Sequence, residues 1–163
     1  MKSLPKISTI LYATDLSKNT RPVFKQAIAQ ARMHNASIIM MHVIEPLNET
    51  TKAVLAAYIP DIDFENQQKE EMKKIISHMK ERLQKFYEEE CEKHEKDFIP
   101  VKNIYVTAGM PSEEILTAAE KFKVDMIVMG QSTQKVLGSK VMGSAARRVA
   151  RLSTVPVLIV PNM

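Results

Sequence analysis

Five short strand-like runs alternate with four stretches of helical periodicity, and this alternation leaves the chain very few ways to fold. The strand-like runs are residues 7–14 (ISTILYAT), 37–44 (SIIMMHVI), 101–107, 125–129 and 155–160. The third alternates apolar and polar residues. The others are apolar nearly throughout, as expected of strands covered on both faces in a parallel sheet. Between them, apolar stripes recur at helical spacing. One is Val23, Ala27, Ile28 and Ala31. A longer one is Met72, Ile75, Ile76, Met79, Leu83, Phe86 and Tyr87. The last two are Ile115, Leu116, Ala119 and Phe122, and Ala145, Ala146, Val149 and Leu152. The third helix should start at Pro111, with Glu113 and Glu114 favouring its positive end. On the longest helix, Glu70–Lys74, Glu81–Lys85 and Glu89–Lys93 stand at i,i+4 with the acid first, which predicts surface ion pairs. The sum is a β-α-β-α-β-α-β-α-β order and an α/β, doubly wound parallel sheet with helices on both faces.

A chain of 163 residues fits one such domain. One connection is long, from Glu45 to about residue 63, and its segment 53–58 (AVLAAY) predicts a short helix or lid. Cys91 is the single cysteine, so no intramolecular disulfide can form, and a reducing, cytoplasmic location is expected. No window approaches the ~20 apolar residues of a membrane span. Residues 1–5 lead into a strand-like run too short for a secretion signal.

In an open α/β sheet, ligands bind outside the carboxyl ends of the strands, where the strand order reverses. The first strand ends in Ala13-Thr14-Asp15, the second in His42-Val43-Ile44, and the fourth in Met129-Gly130. Asp15 is either a ligand for ribose or a base edge, or a turn former in Asp15-Leu16-Ser17. From Gly130 a loop runs to Gly143-Ser144, just before a helical stripe. Ser144 is placed to cap that helix, and the free amides behind it suit a phosphate. After Asp125 there is no acidic residue, whereas Lys135, Lys140, Arg147, Arg148 and Arg151 follow. A basic end of this kind suits an anion. The Walker pattern is absent: Gly138 is followed by Ser139-Lys140, and residue 133 is threonine.

Six segments in this order resemble the universal stress protein family over nearly the whole chain. They are ILYATD (10–15), HVIEP (42–46), GMPSEEIL (109–116), VDMIVMG (124–130), GSAARRVAR (143–151) and PVLIV (156–160). The resemblance implies the adenine nucleotide alpha hydrolase-like fold, with strand order 3-2-1-4-5. The family's ATP-binding branch carries Gly, two residues, Gly, nine residues, then Gly-Ser or Gly-Thr. Here Gly130, Thr133 and Gly143-Ser144 keep that spacing, with Thr133 in place of the second glycine. If that position needs positive φ, a β-branched residue costs about 1–2 kcal/mol there. The threonine hydroxyl could instead donate to a phosphate oxygen. By resemblance the ligand is ATP or AMP, with Mg2+ as an accompanying ion. Ala13, Thr14 and Asp15 would meet adenine and ribose, and Val43 would meet adenine through its backbone. Met129, Gly130, Ser132, Thr133, Gly143, Ser144 and Ala145 would surround ribose and phosphates.

The residues give little footing for catalysis. Asp15 is the one carboxylate assigned to the ligand edge, and by analogy it faces the base. Asp125 begins its strand at the opposite end, His42 reads as a packed strand residue, and the histidines form no metal pair at helix spacing. The chain is therefore expected not to be an enzyme but a nucleotide-binding regulatory switch with little or no hydrolysis. The competing expectation, favoured by Thr133, is a homodimeric interaction module that binds no nucleotide. Either way, the run 156–160 would be an apolar sheet edge. Pairing with its copy would cover that edge, so a homodimer is expected. Nucleic acid is not an expected partner, because no aromatic residue follows Phe122 to stack on bases.

Overall fold

A computed structural model describes residues 3–17, 19–59, 64–93, 100–131 and 141–161, side chains of 64 and 65 apart. The elements, in order, are β1 (Thr9–Ala13), α1 (Thr20–His34), β2 (Ser37–Ile44), α2 (Glu49–Tyr58), α3 (Phe64–Lys93), β3 (Val101–Ala108), α4 (Pro111–Lys121), β4 (Met126–Gly130), α5 (Ser144–Leu152) and β5 (Val157–Val160). The strands form one sheet in the order β3-β2-β1-β4-β5, and every pairing is parallel. The expected strand order is therefore the observed one. The strand order reverses beside β1, which has β2 on one side and β4 on the other.

Strand periodicity explains why the apolar runs are continuous. Along β1 and β2, Ile10, Tyr12, Ile38 and Met40 point to one face, where Phe24 and Ala27 of α1 and Leu83 of α3 cover them. The intervening Leu11, Ala13, Ile39 and Met41 point to the other, beneath Ile115 and Ala118 of α4 and Ala146 and Val149 of α5. Both parities are buried, so neither can be polar. Helix α1 ends at Asn35, whose φ of 52° lies in the left-handed region that asparagine tolerates. Its backbone N–H closes onto the carbonyls of Ala31 and Arg32.

At the amino edge of the sheet, Asp125 Oδ2 accepts from the amides of Ser8 and Thr9 at 2.8 and 2.9 Å. The carboxylate precedes β4 and clips it to the start of β1.

The segment 53–58 is helical as part of α2, as expected, and none of its residues is buried. Two expectations need correction. The stripe of α3 does not bury along its length. Among its described side chains Leu83 and Glu90 are the buried ones, and Ile75 is 42% exposed, because the amino-terminal half of this 30-residue helix runs beyond what the strands can cover. Likewise Leu152 ends α5 at 48% exposure. The ion pairs of α3 form at i,i+3 rather than i,i+4: Lys73–Glu70, Lys74–Glu71 and Lys93–Glu90. Consecutive acids followed by consecutive bases offer both spacings, and Glu90 outcompetes Glu89 for Lys93. Glu90 is buried and also holds Arg21 of α1 at 2.9 Å. Among the described residues, no helix is long and apolar enough to cross a membrane.

Candidate functional site

At the carboxyl edge of the sheet, where β1 separates β2 from β4, lies a cavity of about 300 Å³. That is the small end of the range typical of ligand sites. The end of β1, the end of β2, the end of β4 and the first turns of α1, α4 and α5 form its walls.

The β1 wall is the most tightly built. The Thr14 amide donates to the Met41 carbonyl at 2.9 Å, carrying the β1–β2 ladder one residue past the strand. His42 Nδ1 lies 2.8 Å from the Thr14 carbonyl oxygen and so donates to it, which fixes the ring as a packed strand residue. The chain then turns sharply through Leu16, whose φ is 58°. A leucine sits in that region only at a cost, and side-chain bonds on both sides hold it there. Thr14 Oγ1 accepts from the Leu16 amide at 3.1 Å, and Asp15 Oδ1 accepts from the Ser17 amide at 3.0 Å. A second chain of bonds runs from Thr14 Oγ1 to Thr20 Oγ1 at 3.4 Å, and from Thr20 Oγ1 to Asp15 Oδ1 at 3.5 Å. The turn-forming reading of Asp15 is the one these bonds bear out. One carboxylate oxygen shapes the turn, and Oδ2 has no protein partner among the described residues.

Beneath this turn, Tyr12 is fully buried and donates to the Thr20 carbonyl at 3.3 Å. Burial pushes its phenol well above the usual range. The Thr14 hydrogen bond opposes that shift, and the negative charges of Asp15 and Glu90 add to it. Tyr12 therefore stays neutral beneath the site, with its proton committed to the Thr20 carbonyl.

The β4 and α5 wall is cross-tied. The Gln131 amide donates to the Val160 carbonyl at 2.9 Å, and the Gly143 amide donates to the Gln131 carbonyl at 2.8 Å. The two ends of the expected phosphate loop are thereby joined at its base. The expectation that Ser144 caps α5 is corrected: Gly143 is the N-cap residue and Ser144 is the first helical one. Among the described residues, no side chain caps the start of the helix. The amides of Ser144, Ala145 and Ala146 have no intrahelical acceptor, as the first turn of any helix requires. They stand at the positive end of the helix dipole.

Opposite, Gly109 turns β3 into α4 with φ of 155° and donates to the Ile44 carbonyl at 2.9 Å. That φ strains any residue with a Cβ, and a Cβ there would also displace the Glu114 side chain, 2.7 Å away, so glycine fits this position best. The turn brings Pro111 and Ile115 to the cavity.

Of the residues expected at the site, Ala13, Thr14, Asp15, Val43, Met129, Gly130, Gly143, Ser144 and Ala145 all line this one cavity. Ser132 and Thr133 lie outside the described residues, as do Lys135 and Lys140. Sequence reasoning missed Tyr12, Thr20, Met41, Glu45, Pro111, Ile115 and Gln131, which also line it. Glu45 was legible in principle: Met41, Val43 and Glu45 share one face of β2 and its extension by simple alternation. Asp15 and Glu45 are the only charged groups among the described lining residues. No set of three or more His, Cys, Asp or Glu side chains among the described residues could hold a metal.

The model of the universal stress protein family matches residues 6–161. The chain is 31% identical over 155 residues to the universal stress protein YxiE of Bacillus subtilis, covering 93% of this chain and 97% of that protein. It is 30% identical over 159 residues to universal stress protein MJ0577 of Methanocaldococcus jannaschii, covering 93% of each. The solved structure of MJ0577 superposes with a TM-score of 0.62 over 98% of this chain and 99% of that one. The same fold occurs in a universal stress protein solved with cAMP (TM-score 0.57, 21% identity, 98% and 100% covered). It occurs again in one from Archaeoglobus fulgidus solved with dAMP (TM-score 0.50, 15% identity, 94% and 96% covered). A family match across nearly the whole chain, together with relatives of this identity and coverage, means that this chain belongs to the universal stress protein family.

Proposed function

We propose that the chain binds an adenine nucleotide, ATP or AMP, in the cavity at the carboxyl edge of β1, and acts as a regulatory switch rather than as an enzyme. The observation that carries this reading is the division of the cavity. On one side Asp15 offers a carboxylate oxygen held in place by Ser17 and Thr20. On the other, the start of α5 offers amides without acceptors. A ribose hydroxyl suits the first and a phosphate suits the second, while Val43, Met41 and Met129 provide apolar surface for a base. The fold neighbours solved with cAMP and dAMP support the same class of ligand.

Hydrolysis is expected to be slow or absent. Both charged lining groups lie at β1 and β2, away from the start of α5, so no described side chain is placed to activate water at the phosphates. Extracting heat-denatured pure protein, with absorbance near 260 nm and mass spectrometry, should recover adenine nucleotide. Phosphate release from added ATP should stay near background. An empty extract together with no binding at millimolar ATP would overturn the reading, and many turnovers per second would overturn its non-enzymatic part.

The protein is further proposed to act as a homodimer paired through the run 156–160 in the cytoplasm, with no role for nucleic acid or membrane. The supporting observation is that among the described residues β5 pairs with β4 alone, leaving its other edge open, while Val157, Leu158 and Ile159 are only half-buried. Light scattering at micromolar concentration should give twice the chain mass, and a monomer would contradict this.

A further inference from the structure

The charge on the cavity wall is one-sided. Asp15 and Glu45, at the ends of β1 and β2, are its only charged groups among the described lining residues, and neither is paired with a cation there. Asp15 is held through Oδ1, so it cannot swing away without breaking the bonds from Ser17 and Thr20. Glu45 is exposed and lies on the same face of the strand as Val43, about 7 Å further along at the usual strand rise. The start of α5 lies beside β4, on the far side of β1 from Glu45. Carboxylates accept hydrogen bonds and repel anions. The β1–β2 side therefore favours groups that donate and carry no negative charge, while the α5 side favours an anion.

We propose that Glu45, acting with Asp15, is a specificity-determining residue: it makes the β1–β2 side an acidic wall that selects a 5′-nucleotide with free 2′- and 3′-hydroxyls and rejects one carrying phosphate on the 2′ or 3′ oxygen. This rests on the nucleotide reading above and narrows it. The free diol supplies two donors to the wall. A 3′-phosphate removes one donor and brings its own charge against two carboxylates. A 3′,5′-cyclic phosphate removes the same donor and draws the phosphate toward the ribose. A 2′-deoxyribose loses the other donor without adding charge. The order of affinity follows: 5′-AMP first, 2′-deoxy-5′-AMP next, 3′,5′-cyclic AMP weaker, and 3′-AMP and 2′-AMP last.

Isothermal titration of the full chain with each of these five nucleotides, for wild type and for Glu45→Gln, tests the proposal. Glutamine keeps the size and the acceptor oxygen and removes the charge. Because Glu45 is exposed, the variant should melt like wild type. Wild type should bind 5′-AMP at least tenfold more tightly than 3′-AMP. Glu45→Gln should narrow that ratio severalfold, by improving 3′-AMP and by weakening 5′-AMP. Equal binding of 5′-AMP and 3′-AMP by wild type, or an unchanged ratio in Glu45→Gln, would overturn this inference and leave the nucleotide reading standing. No binding of any of the five would overturn both.

Discussion

The two edges of the sheet each carry an aspartate next to a strand of the central pair, and the two carboxylates do opposite jobs. Asp125, at the amino edge, turns Oδ2 onto two backbone amides of the β1 start and ties strands together. Asp15, at the carboxyl edge, turns Oδ1 onto its own turn and lines a cavity. The residue type is the same in both places, so the difference comes from the backbone. At the amino edge, β1 and β4 begin side by side and their amides need an acceptor. At the carboxyl edge the strands separate into loops and helix starts, and the Asp15 turn takes up one of its carboxylate oxygens. One edge therefore serves stability and the other is available for a ligand.

The sharpest way to break this comparison is to remove each device and see which property moves. Asp125→Ala leaves two amides without their acceptor, and should cost about 1–3 kcal/mol of stability. For a chain of this length that is a fall of roughly 3–10 °C in Tm, and nucleotide affinity should not change. Thermal denaturation followed by circular dichroism would show it. A variant that keeps its Tm but loses ligand would reverse the roles assigned to the two edges.

Tyr12 sharpens the comparison from below the cavity. Its phenol is raised in the folded state, chiefly by burial, so above its ordinary ionisation range the unfolded chain loses a proton that the folded chain keeps. The stability tied to this group is fully present below about pH 10 and declines above it, by at most about 1.4 kcal/mol per pH unit. Tyr12→Phe should flatten that alkaline decline in urea titrations run from pH 9 to 11. An unchanged slope would mean that the hydroxyl is not held neutral. A smaller effect is expected at Thr20, whose hydroxyl steadies Asp15. Thr20→Val should weaken 5′-AMP binding by about threefold, worth some 0.7 kcal/mol. The loss should fall on ligands with a free ribose diol and spare inorganic phosphate.

Much of the fold was readable because β1, β2 and β4 are covered on both faces, which forces unbroken apolar runs such as SIIMMHVI. The third strand stood apart because β3 is a sheet edge, and its residues Lys102 and Asn103 are exposed. The position of Asp15 and Asp125 at opposite strand ends was legible for the same reason. What escaped was anything set by distant packing. The burial of Glu90 against Arg21 joins residues 69 apart in the chain, and no local pattern announces it. The exposure of Ile75 depends on where the sheet stops beneath α3, which helical periodicity does not encode. At the site, the strand ends and glycines were visible. Thr20, Pro111 and Ile115 were not, because they reach the cavity only through the turns at Leu16 and Gly109.

The central claim is that the carboxyl edge takes a nucleotide through a carboxylate that the turn holds but does not use up. Titrating 5′-AMP into wild type, Asp15→Asn and Asp125→Asn tests it most directly. Asparagine at 15 keeps the Oδ1 acceptor of the turn and exchanges the free oxygen for an amide donor. Asp15→Asn should bind at least tenfold more weakly, a loss of about 1.4 kcal/mol, with its Tm little changed, whereas Asp125→Asn should bind as wild type does. Equal affinity in all three proteins would contradict the account.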